Sequence, residues 1–273
     1  MTMGAAPRFA AVQMVSTDSL AANLEAAGRL IGEAAAAGAR LVALPENFYL
    51  ISADEQAKVA LRESEGDGPI QRFLADAARR HRVWIVGGTA PLAGGDRTRI
   101  RSACLVYDDT GRQVARYDKM HLFRFSANGE SYDESRTLEP GTQPVALDSP
   151  FGRLALSVCY DVRFPELYRS LGAFDVLFLP SAFTVPTGRA HWATLLRARA
   201  IENLAYVVAP AQGGRHPGGR STYGHTLIVD PWGEVVAERS EGEGFVMGAI
   251  DPARLAEVRR SLPALENRTL RPD

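Results

Sequence analysis

The chain has 273 residues, of which 46% are hydrophobic and 23% are charged, and its formal net charge is -1. This balance excludes a strongly basic surface, so we expect neither nucleic acid nor a membrane as a partner. No segment approaches the roughly 20 apolar residues of a membrane span, and the first residues do not resemble a signal peptide. We therefore expect a cytoplasmic protein, and its two cysteines, Cys104 and Cys159, suit a reducing compartment.

Strands alternate with helices in the first third of the chain. Residues 9–15 are apolar and predict a buried strand, and residues 16–18 after them offer N-caps for an alanine-rich helix that ends near Gly38. Residues 40–44 predict a second strand. A helix that includes residues 71–81 then leads into a third strand, VWIVGG. This alternation is typical of an α/β domain whose strands are mostly buried.

The middle of the chain departs from this alternation. The segment SACLVYDDTGRQVARYDK, residues 102–119, predicts a hairpin around an Asp-Thr-Gly turn. Residues 123–144 are polar, and we expect them to form an irregular loop of the kind that often carries function.

Strands and helices alternate again in the second half. The strands LALSVC, VLFLP and YVVAPA are separated by the helices PELYRSLG and HWATLLRARAIENLA. A hairpin, TLIVDPWGEVVAE, the strand FVMGAI and a helix over residues 252–260 follow. Because no linker or charge run divides the chain, we expect one domain with a mixed sheet over residues 1–273.

Three predicted strands end on a residue that could carry chemistry. Glu46 follows the second strand, Cys159 ends the strand LALSVC, and Ser181 follows the strand VLFLP. In open α/β sheets, ligands bind outside the carboxyl ends of strands. We therefore expect these three residues to face one crevice.

Each candidate also has an ordinary structural explanation. Cys159 is either a buried core thiol or a nucleophile, whose thiolate the following helix and a nearby ammonium, Lys119, would stabilise. Glu46 is either a surface acid or a general base whose pKa is raised by partial burial. Lys119 is either a solvated charge or a group that stabilises an oxyanion. Cys104 has no comparable turn beside it and is assigned to the core.

Three segments together resemble a known family. LPENF, YDKMHLF and SVCYDVRFPELYR are similar to the signature segments of the nitrilase superfamily, which are the carbon–nitrogen hydrolases with a Glu-Lys-Cys triad. The segments occur in the family's order, and the resemblance covers nearly the whole chain. It implies a four-layer α-β-β-α sandwich that assembles as a homodimer or a higher homo-oligomer.

The resemblance also implies a role for each site residue. Glu46 is the general base, Lys119 the positive partner and Cys159 the nucleophile, and the backbone N–H of Tyr160 is the second oxyanion donor. The implied reaction forms a thioester with the acyl part of a small-molecule amide and releases ammonia. It needs no metal and no organic cofactor.

A second glutamate is expected in the loop after the lysine. The candidates are Glu130 and Glu134, and we choose Glu134 because YDES matches an aromatic–x–Glu–Ser pattern of the omega-amidase branch. We expect Glu134 to orient Lys119 or the substrate. Candidate substrate-binding residues lie beside the triad segments or at a strand end, and they are Tyr49, Tyr160, Phe183 and Thr184.

Longer segments resemble one branch of the superfamily. HLFRFSANGESYDESRTLEPG, PSAF and YGHTLIVDPWG are similar to Nit1-type deaminated glutathione amidases, which hydrolyse the side-chain amide of deaminated glutathione in metabolite repair. The alternatives are an omega-amidase that acts on α-ketoglutaramate and an N-carbamoyl amino acid hydrolase. A catalytically inactive binding module on the same fold is the alternative outside enzymes, although the presence of all three triad residues favours an enzyme.

Other polar residues have competing interpretations. His121 would be the base of a Cys-His hydrolase, although a lone histidine is more often structural. The histidines and cysteines lack the paired spacing of a zinc site. In the glycine-rich segment QGGRHPGGRS, Arg215 or Arg220 would meet an anionic substrate group if the segment is more than a surface loop. Asp161 and Arg163 are expected to form a buried frame beside the nucleophile.

Overall fold

The computed structural model describes residues 6–127 and 130–270, with the backbone alone described for Ala127 and Glu130. Within these ranges, no helix combines the length and the apolar character that crossing a membrane requires. The α-helices are α1 (Leu20–Ala36), α2 (Ala57–Ala60), α3 (Pro69–His81), α4 (Pro165–Ser170), α5 (Val185–Asn203) and α6 (Pro252–Ser261). Short 3₁₀ helices cover Glu134–Arg136, Cys159–Arg163 and Pro217–Gly219.

The strands fall into two halves of the chain. Those of the first half are β1 (Arg8–Gln13), β2 (Leu41–Ala43), β3 (Trp84–Val86), β4 (Ala90–Ala93), β5 (Ile100–Tyr107), β6 (Gln113–Asp118), β7 (Arg124–Ala127) and β8 (Glu130–Asp133). Those of the second half are β9 (Val145–Ser149), β10 (Gly152–Leu156), β11 (Val176–Phe178), β12 (Tyr206–Ala209), β13 (Gly213–Arg215), β14 (Ser221–Tyr223), β15 (Thr226–Val229), β16 (Val235–Arg239) and β17 (Gly244–Ala249).

Two mixed sheets form the centre of the fold. The first has the order β17-β1-β2-β3-β5-β4, with β6 also paired to β5, and the second has the order β16-β15-β12-β11-β10-β9. In each sheet three neighbouring strands run parallel, namely β1, β2 and β3 in one and β10, β11 and β12 in the other. Two large sheets thus form the centre of the described fold, beside the small pairs β7-β8 and β13-β14, and the expectation of one mixed sheet was wrong. Pairing also crosses the two halves of the chain, because β17 pairs with β1.

The two sheets pack face to face between layers of helices. Alternate side chains of β1 point to opposite sides, so Phe9 and Ala11 lie in the core shared with the second sheet, whereas Ala10 and Val12 pack with residues of α1 and α3. The ring of Phe9 lies 6.0 Å from that of Phe178 in β11. Helices α4 and α5 cover the outer face of the second sheet. This arrangement confirms the predicted α-β-β-α sandwich.

Two local predictions were wrong. The N-cap of α1 is Ser19, whose hydroxyl accepts from Ala22 N at 3.3 Å, and not one of residues 16–18. Residues 123–144 are also less irregular than expected, because β7 and β8 pair as a hairpin that a 3₁₀ turn follows. The polar, exposed residues of this hairpin hide the alternation by which a strand is usually recognised.

Candidate active site

The segments that end three strands converge on one pocket. Its empty volume is about 310 Å³, and its walls come from the segments after β2, β6, β8, β10, β11 and β13 and from the first turn of α5. The residues that line it are Glu46, Phe123, Glu134, Cys159, Tyr160, Arg163, Ala182, Phe183, Thr184, Thr187 and Arg220. The pocket is therefore built at carboxyl ends of parallel strands from both sheets, as the sequence predicts.

Lys119 lies at the base of this site between two carboxylates. Its Nζ is 2.7 Å from Glu46 Oε1 and 2.9 and 2.8 Å from the two oxygens of Glu134. The ammonium group is fully buried, and Glu46 is only 2% exposed. The backbone N–H of Phe123 donates to Glu134 Oε2 at 2.7 Å, so Glu134 is itself held in place. Three charged groups thus form a buried hydrogen-bonded unit.

The electrostatics of this unit keep Lys119 and Glu134 ionised. Burial on its own would lower the pKa of Lys119, but the attraction of Glu134 and Glu46 outweighs it and raises that pKa well above its ordinary value. For Glu134, burial acts to raise the pKa, and the ammonium of Lys119 overcomes this and lowers it. At neutral pH the unit therefore holds the charged ammonium of Lys119 between Glu46 and Glu134. Glu130, the other candidate for the second acid, falls outside the side chains that are described.

Cys159 occupies a strained position three residues after the end of β10. Its backbone has φ of 50°, in the left-handed region that residues with a Cβ seldom adopt, and its N–H donates to Pro180 O at 2.9 Å. The side chain lines the pocket and is 7% exposed. The turn is therefore held by a hydrogen bond to Pro180, just after β11, and it places the thiol at the pocket.

The raised pKa of the Cys159 thiol argues against the expected stabilised thiolate. Burial and then the negative charge of Glu46 raise its pKa well above the ordinary value, and Lys119 and the backbone N–H of Ala182 only partly oppose this. The helix α4, which was expected to favour the thiolate, has only six residues and begins at Pro165. A proton acceptor next to the thiol is thus needed for attack, and Glu46 lies there.

Asp161 joins the cysteine turn to the lysine strand. This fully buried carboxylate accepts from Val158 N at 2.8 Å, from Tyr117 Oη at 2.7 Å and from His121 N at 3.0 Å. Tyr117 and His121 flank Lys119 on the first sheet's side, whereas Asp161 belongs to the second sheet's turn. The predicted frame role of Asp161 therefore fits its contacts, and its bonds fix Lys119 relative to Cys159.

The turn that presents Glu46 is held by residues that sequence reasoning missed. Asn47 has φ of 55°, and its N–H donates to Thr89 Oγ1 at 2.9 Å. Gln212, which is fully buried, donates to Glu46 O at 3.2 Å and to Ser16 Oγ at 2.7 Å. From the sequence, the segment QGGRHPGGRS is either a surface loop or a source of arginines for an anionic substrate group, and Gln212 has no predicted role. The available signal was a glutamine placed directly after the apolar strand YVVAPA, where an uncharged amide often bonds backbone.

The predicted pocket residues divide into two groups. Tyr160, Phe183 and Thr184 line the pocket. Tyr49 is 1% exposed and packs in the core between the first sheet and its helices, so its prediction as a substrate-binding residue was wrong. Ser181 is also buried, and its hydroxyl donates to Leu179 O at 3.0 Å, which gives it a structural contact instead of a place in the crevice.

The structure places three arginines that were candidates from the sequence, and two of them line the pocket. Arg163, expected in a buried frame, lines the pocket instead, with its guanidinium 5.7 Å from the Tyr160 ring and 5.6 Å from the Phe183 ring. Arg220 also lines the pocket, whereas Arg215 is exposed and lines a different surface pocket. The pocket wall thus carries two arginines, while Lys119 lies buried behind Glu46 and Glu134.

Two buried or half-buried histidines, His121 and His216, lie outside the pocket and have structural contacts. His121, the candidate base of a Cys-His hydrolase, is 2.7 Å from Asp161 Oδ1 through Nδ1 and stacks on Phe164 at 3.8 Å, and it does not line the pocket. His216 is buried, with its two ring nitrogens 2.8 Å from Ser16 O and 2.7 Å from Thr222 Oγ1. Among the residues that the structure describes, no three His, Cys, Asp or Glu side chains are grouped as metal ligands.

Comparison with known proteins gives consistent matches over most of the chain. The carbon–nitrogen hydrolase family model matches residues 8–260. The chain is 43% identical over 269 residues to the deaminated glutathione amidase of Synechocystis sp., covering 95% of this chain and 97% of that one. It is 40% identical over 276 residues to the deaminated glutathione amidase of Homo sapiens, covering 98% and 83%. The crystal structure of Saccharomyces cerevisiae Nit3, described as a member of branch 10 of the nitrilase superfamily, superposes with a TM-score of 0.87 at 29% identity, covering 98% of both chains.

Proposed function

Because the chain belongs to the carbon–nitrogen hydrolase family and is a hydrolase of carbon–nitrogen bonds other than peptide bonds, we propose that it is a cysteine-dependent amidase that acts on deaminated glutathione. The observation that carries the chemistry is the buried unit in which Lys119 bonds Glu46 and Glu134 at the pocket that holds Cys159. The substrate is proposed from the names of the relatives described above.

In the first half of the proposed reaction, Glu46 acts as a general base. It takes the proton of the Cys159 thiol as the sulfur attacks the amide carbonyl, so that a group with a raised pKa becomes nucleophilic only when substrate is in place. The oxyanion that forms is stabilised by the Lys119 ammonium and by the backbone N–H of Tyr160. Glu134 is the positioning residue that keeps the ammonium charged and aligned.

In the second half, Glu46 returns the proton to the leaving nitrogen and then activates water. The carbon–nitrogen bond breaks, the acyl group stays on Cys159 as a thioester, and water attacks that thioester to release the acid and restore the thiol. With deaminated glutathione the group that leaves is the amine of cysteinylglycine. Ammonia leaves from a primary amide such as α-ketoglutaramate, so the expected release of ammonia applies to that alternative substrate.

The substrate is tested by measuring product release from three compounds side by side. Deaminated glutathione, α-ketoglutaramate and an N-carbamoyl amino acid are offered to the wild type and to Cys159→Ala, with the freed acid quantified by chromatography because the leaving groups differ. We expect the highest kcat/KM with deaminated glutathione and no turnover by the variant. A preference for the carbamoyl compound would overturn the proposed substrate, and turnover by Cys159→Ala would overturn the mechanism.

The remaining expectations form part of the same proposal. We propose that residues 1–273 make one carbon–nitrogen hydrolase domain, which the continuous core between the two sheets supports. We also propose a homodimer or higher homo-oligomer in the cytoplasm, where the two free thiols would stay reduced. Size-exclusion chromatography with light scattering tests the assembly, and a single monomeric species at micromolar concentration would contradict it.

A further inference from the structure

A second surface pocket adjoins the catalytic one. Its empty volume is about 810 Å³, and it shares three wall residues with the catalytic pocket, namely Phe123, Glu134 and Arg220. Its other lining residues come mainly from α2 and its N-terminal flank and from the end of the β7–β8 hairpin, and they are Glu55, Gln56, Lys58, Ser131, Tyr132, Asp133, Arg136 and Thr137. A molecule too long for the catalytic pocket would therefore extend past Arg220 into this space.

Arg220 is a cation without a carboxylate partner among the described residues. Its Nε is buried and makes no hydrogen bond there, and its Nη2 reaches only a carbonyl, Ala182 O, at 3.4 Å. The guanidinium lies over the ring of Tyr132 at 5.3 Å, which holds it in the passage between the two pockets. Buried donors without an acceptor are unfavourable, and a guanidinium suits a carboxylate in a two-pronged geometry.

Substrate chemistry decides which end of the amide would meet Arg220. The acyl part stays on Cys159 as a thioester, within a pocket of about 310 Å³ that already contains Arg163. The amine is released when the thioester forms. Ammonia is too small to fill a neighbouring pocket, whereas an amine with a large substituent would occupy it. Deaminated glutathione carries one carboxylate on the acyl part and a second, the glycine carboxylate, on its leaving group.

We propose that Arg220 is a specificity-determining residue that binds the carboxylate on the leaving-group side of an elongated amide. This inference rests on the proposed function and extends it, because it assigns the second pocket to the leaving group. It predicts that the enzyme distinguishes amides with an anionic, peptide-like leaving group from primary amides through this one guanidinium. A charge-assisted hydrogen bond contributes about 1.5–3 kcal/mol, which corresponds to roughly 10- to 150-fold in affinity.

The test compares Arg220→Gln with the wild type on three substrates. These are deaminated glutathione, its analogue with a C-terminal carboxamide in place of the glycine carboxylate, and α-ketoglutaramate. We expect Arg220→Gln to lower kcat/KM for deaminated glutathione, through a raised KM, roughly 10- to 100-fold more than it lowers kcat/KM for α-ketoglutaramate. The wild type should lose a similar factor on the carboxamide analogue, and the variant should no longer tell the analogue from the acid.

Arg215→Gln is the matched control, because it removes the same charge from the same segment at an exposed position outside both pockets. It should leave all three kinetic profiles unchanged. If Arg220→Gln impairs deaminated glutathione and α-ketoglutaramate equally, or impairs neither, the inference is overturned. Should the variant not fold, equal wild-type kinetics on the acid and the carboxamide would overturn it. No wild-type turnover of deaminated glutathione would instead overturn the proposed function.

Discussion

The two cysteines of this protein share a buried setting and a raised pKa, yet only Cys159 lines a pocket beside charged neighbours. Cys104 lies in β5, is fully buried, and has its pKa raised to about 12 by burial. Cys159 has its pKa raised by burial and by Glu46, but Lys119 lies nearby and the side chain reaches a pocket. The comparison teaches that the resting pKa does not distinguish a nucleophile here. What distinguishes Cys159 from Cys104 is the proposed base Glu46, the ammonium of Lys119 and an open pocket.

The largest expected effect separates the two thiols directly. Cys159→Ala should lower kcat/KM by at least about 10⁴-fold, since no other nucleophile in the pocket replaces the sulfur. Cys104→Ala should retain activity within a fewfold and lose about 1–2 kcal/mol of stability through the removed core atom. Steady-state kinetics and urea unfolding check the pair. Comparable activity losses in both variants would contradict the contrast.

Glu46, the proposed general base, lies near Cys159 and not near Cys104, and its replacement should have the next largest effect. Glu46→Gln should lower kcat by roughly 10²- to 10⁴-fold, because the amide cannot accept the thiol proton. Glu63→Gln is the matched control, since Glu63 is also a buried carboxylate, but it bonds the backbone N–H of Ile70 at 2.6 Å at the start of α3. The control should cost stability while kcat changes little. A small effect of Glu46→Gln on kcat would remove Glu46 from the proposed mechanism.

Replacement of Glu134, which holds Lys119 in place, should have a smaller effect on kcat and a pH-dependent effect on stability. Glu134→Gln should lower kcat about 10- to 100-fold by misplacing Lys119, and should reduce the free energy of unfolding at pH 7 by about 2 kcal/mol. Because folding lowers the pKa of Glu134, its stabilising contribution is present above about pH 4.5 and is lost as the pH falls through the folded-state pKa.

Urea unfolding at pH 7 and near pH 4 checks this dependence, and the difference between wild type and variant should shrink at the lower pH. Glu139→Gln provides a comparison, since Glu139 pairs with Arg101 at 3.0 Å outside the pocket. It should leave kcat within about twofold of wild type. A stability difference for Glu134→Gln that stays constant between the two pH values would contradict the assigned ion pair.

Alkylation tests the resting state of the thiols. Because the pKa of Cys159 is raised, its modification by iodoacetamide should accelerate about tenfold per pH unit between pH 7 and 9, while Cys104 in the folded core stays unmodified. Glu46→Gln should speed this alkylation at pH 7 while slowing turnover, since it removes a negative charge that disfavours the thiolate. Peptide mass spectrometry reports both sites. A plateau in the Cys159 rate below pH 8 would indicate a resident thiolate.

Much of the fold and of the site follows from local sequence patterns and from the family resemblance. The alternation of strands and helices predicts the parallel strands, and the polar residues after three of those strands point to one crevice. The resemblance adds the order of LPENF, YDKMHLF and SVCYDVRFPELYR, which links residues far apart in sequence. Glu46, Lys119, Cys159 and Glu134 do lie together, and their catalytic roles remain proposals.

What the sequence could not predict depends on contacts between distant segments. The misplaced Tyr49 illustrates this, because proximity to Glu46 in sequence does not tell which side of a turn faces the pocket. The pKa of Cys159 depends on how deeply the two sheets bury the thiol beside Glu46. Gln212 supports Glu46 from 166 residues away, through an amide whose partners become visible only once both loops are placed.

The single carboxylate of Asp161 has a consequence for how this protein tolerates sequence change. Its two oxygens accept hydrogen bonds from Val158, in a turn of the second sheet, and from Tyr117 and His121, which flank Lys119 on the side of the first sheet. The spacing between Cys159 and Lys119 is therefore set over a few ångströms, and not through the whole thickness of the sandwich. Substitutions in the broad core can accumulate and shift the sheets slightly while the reacting groups keep their alignment, provided that this one junction survives.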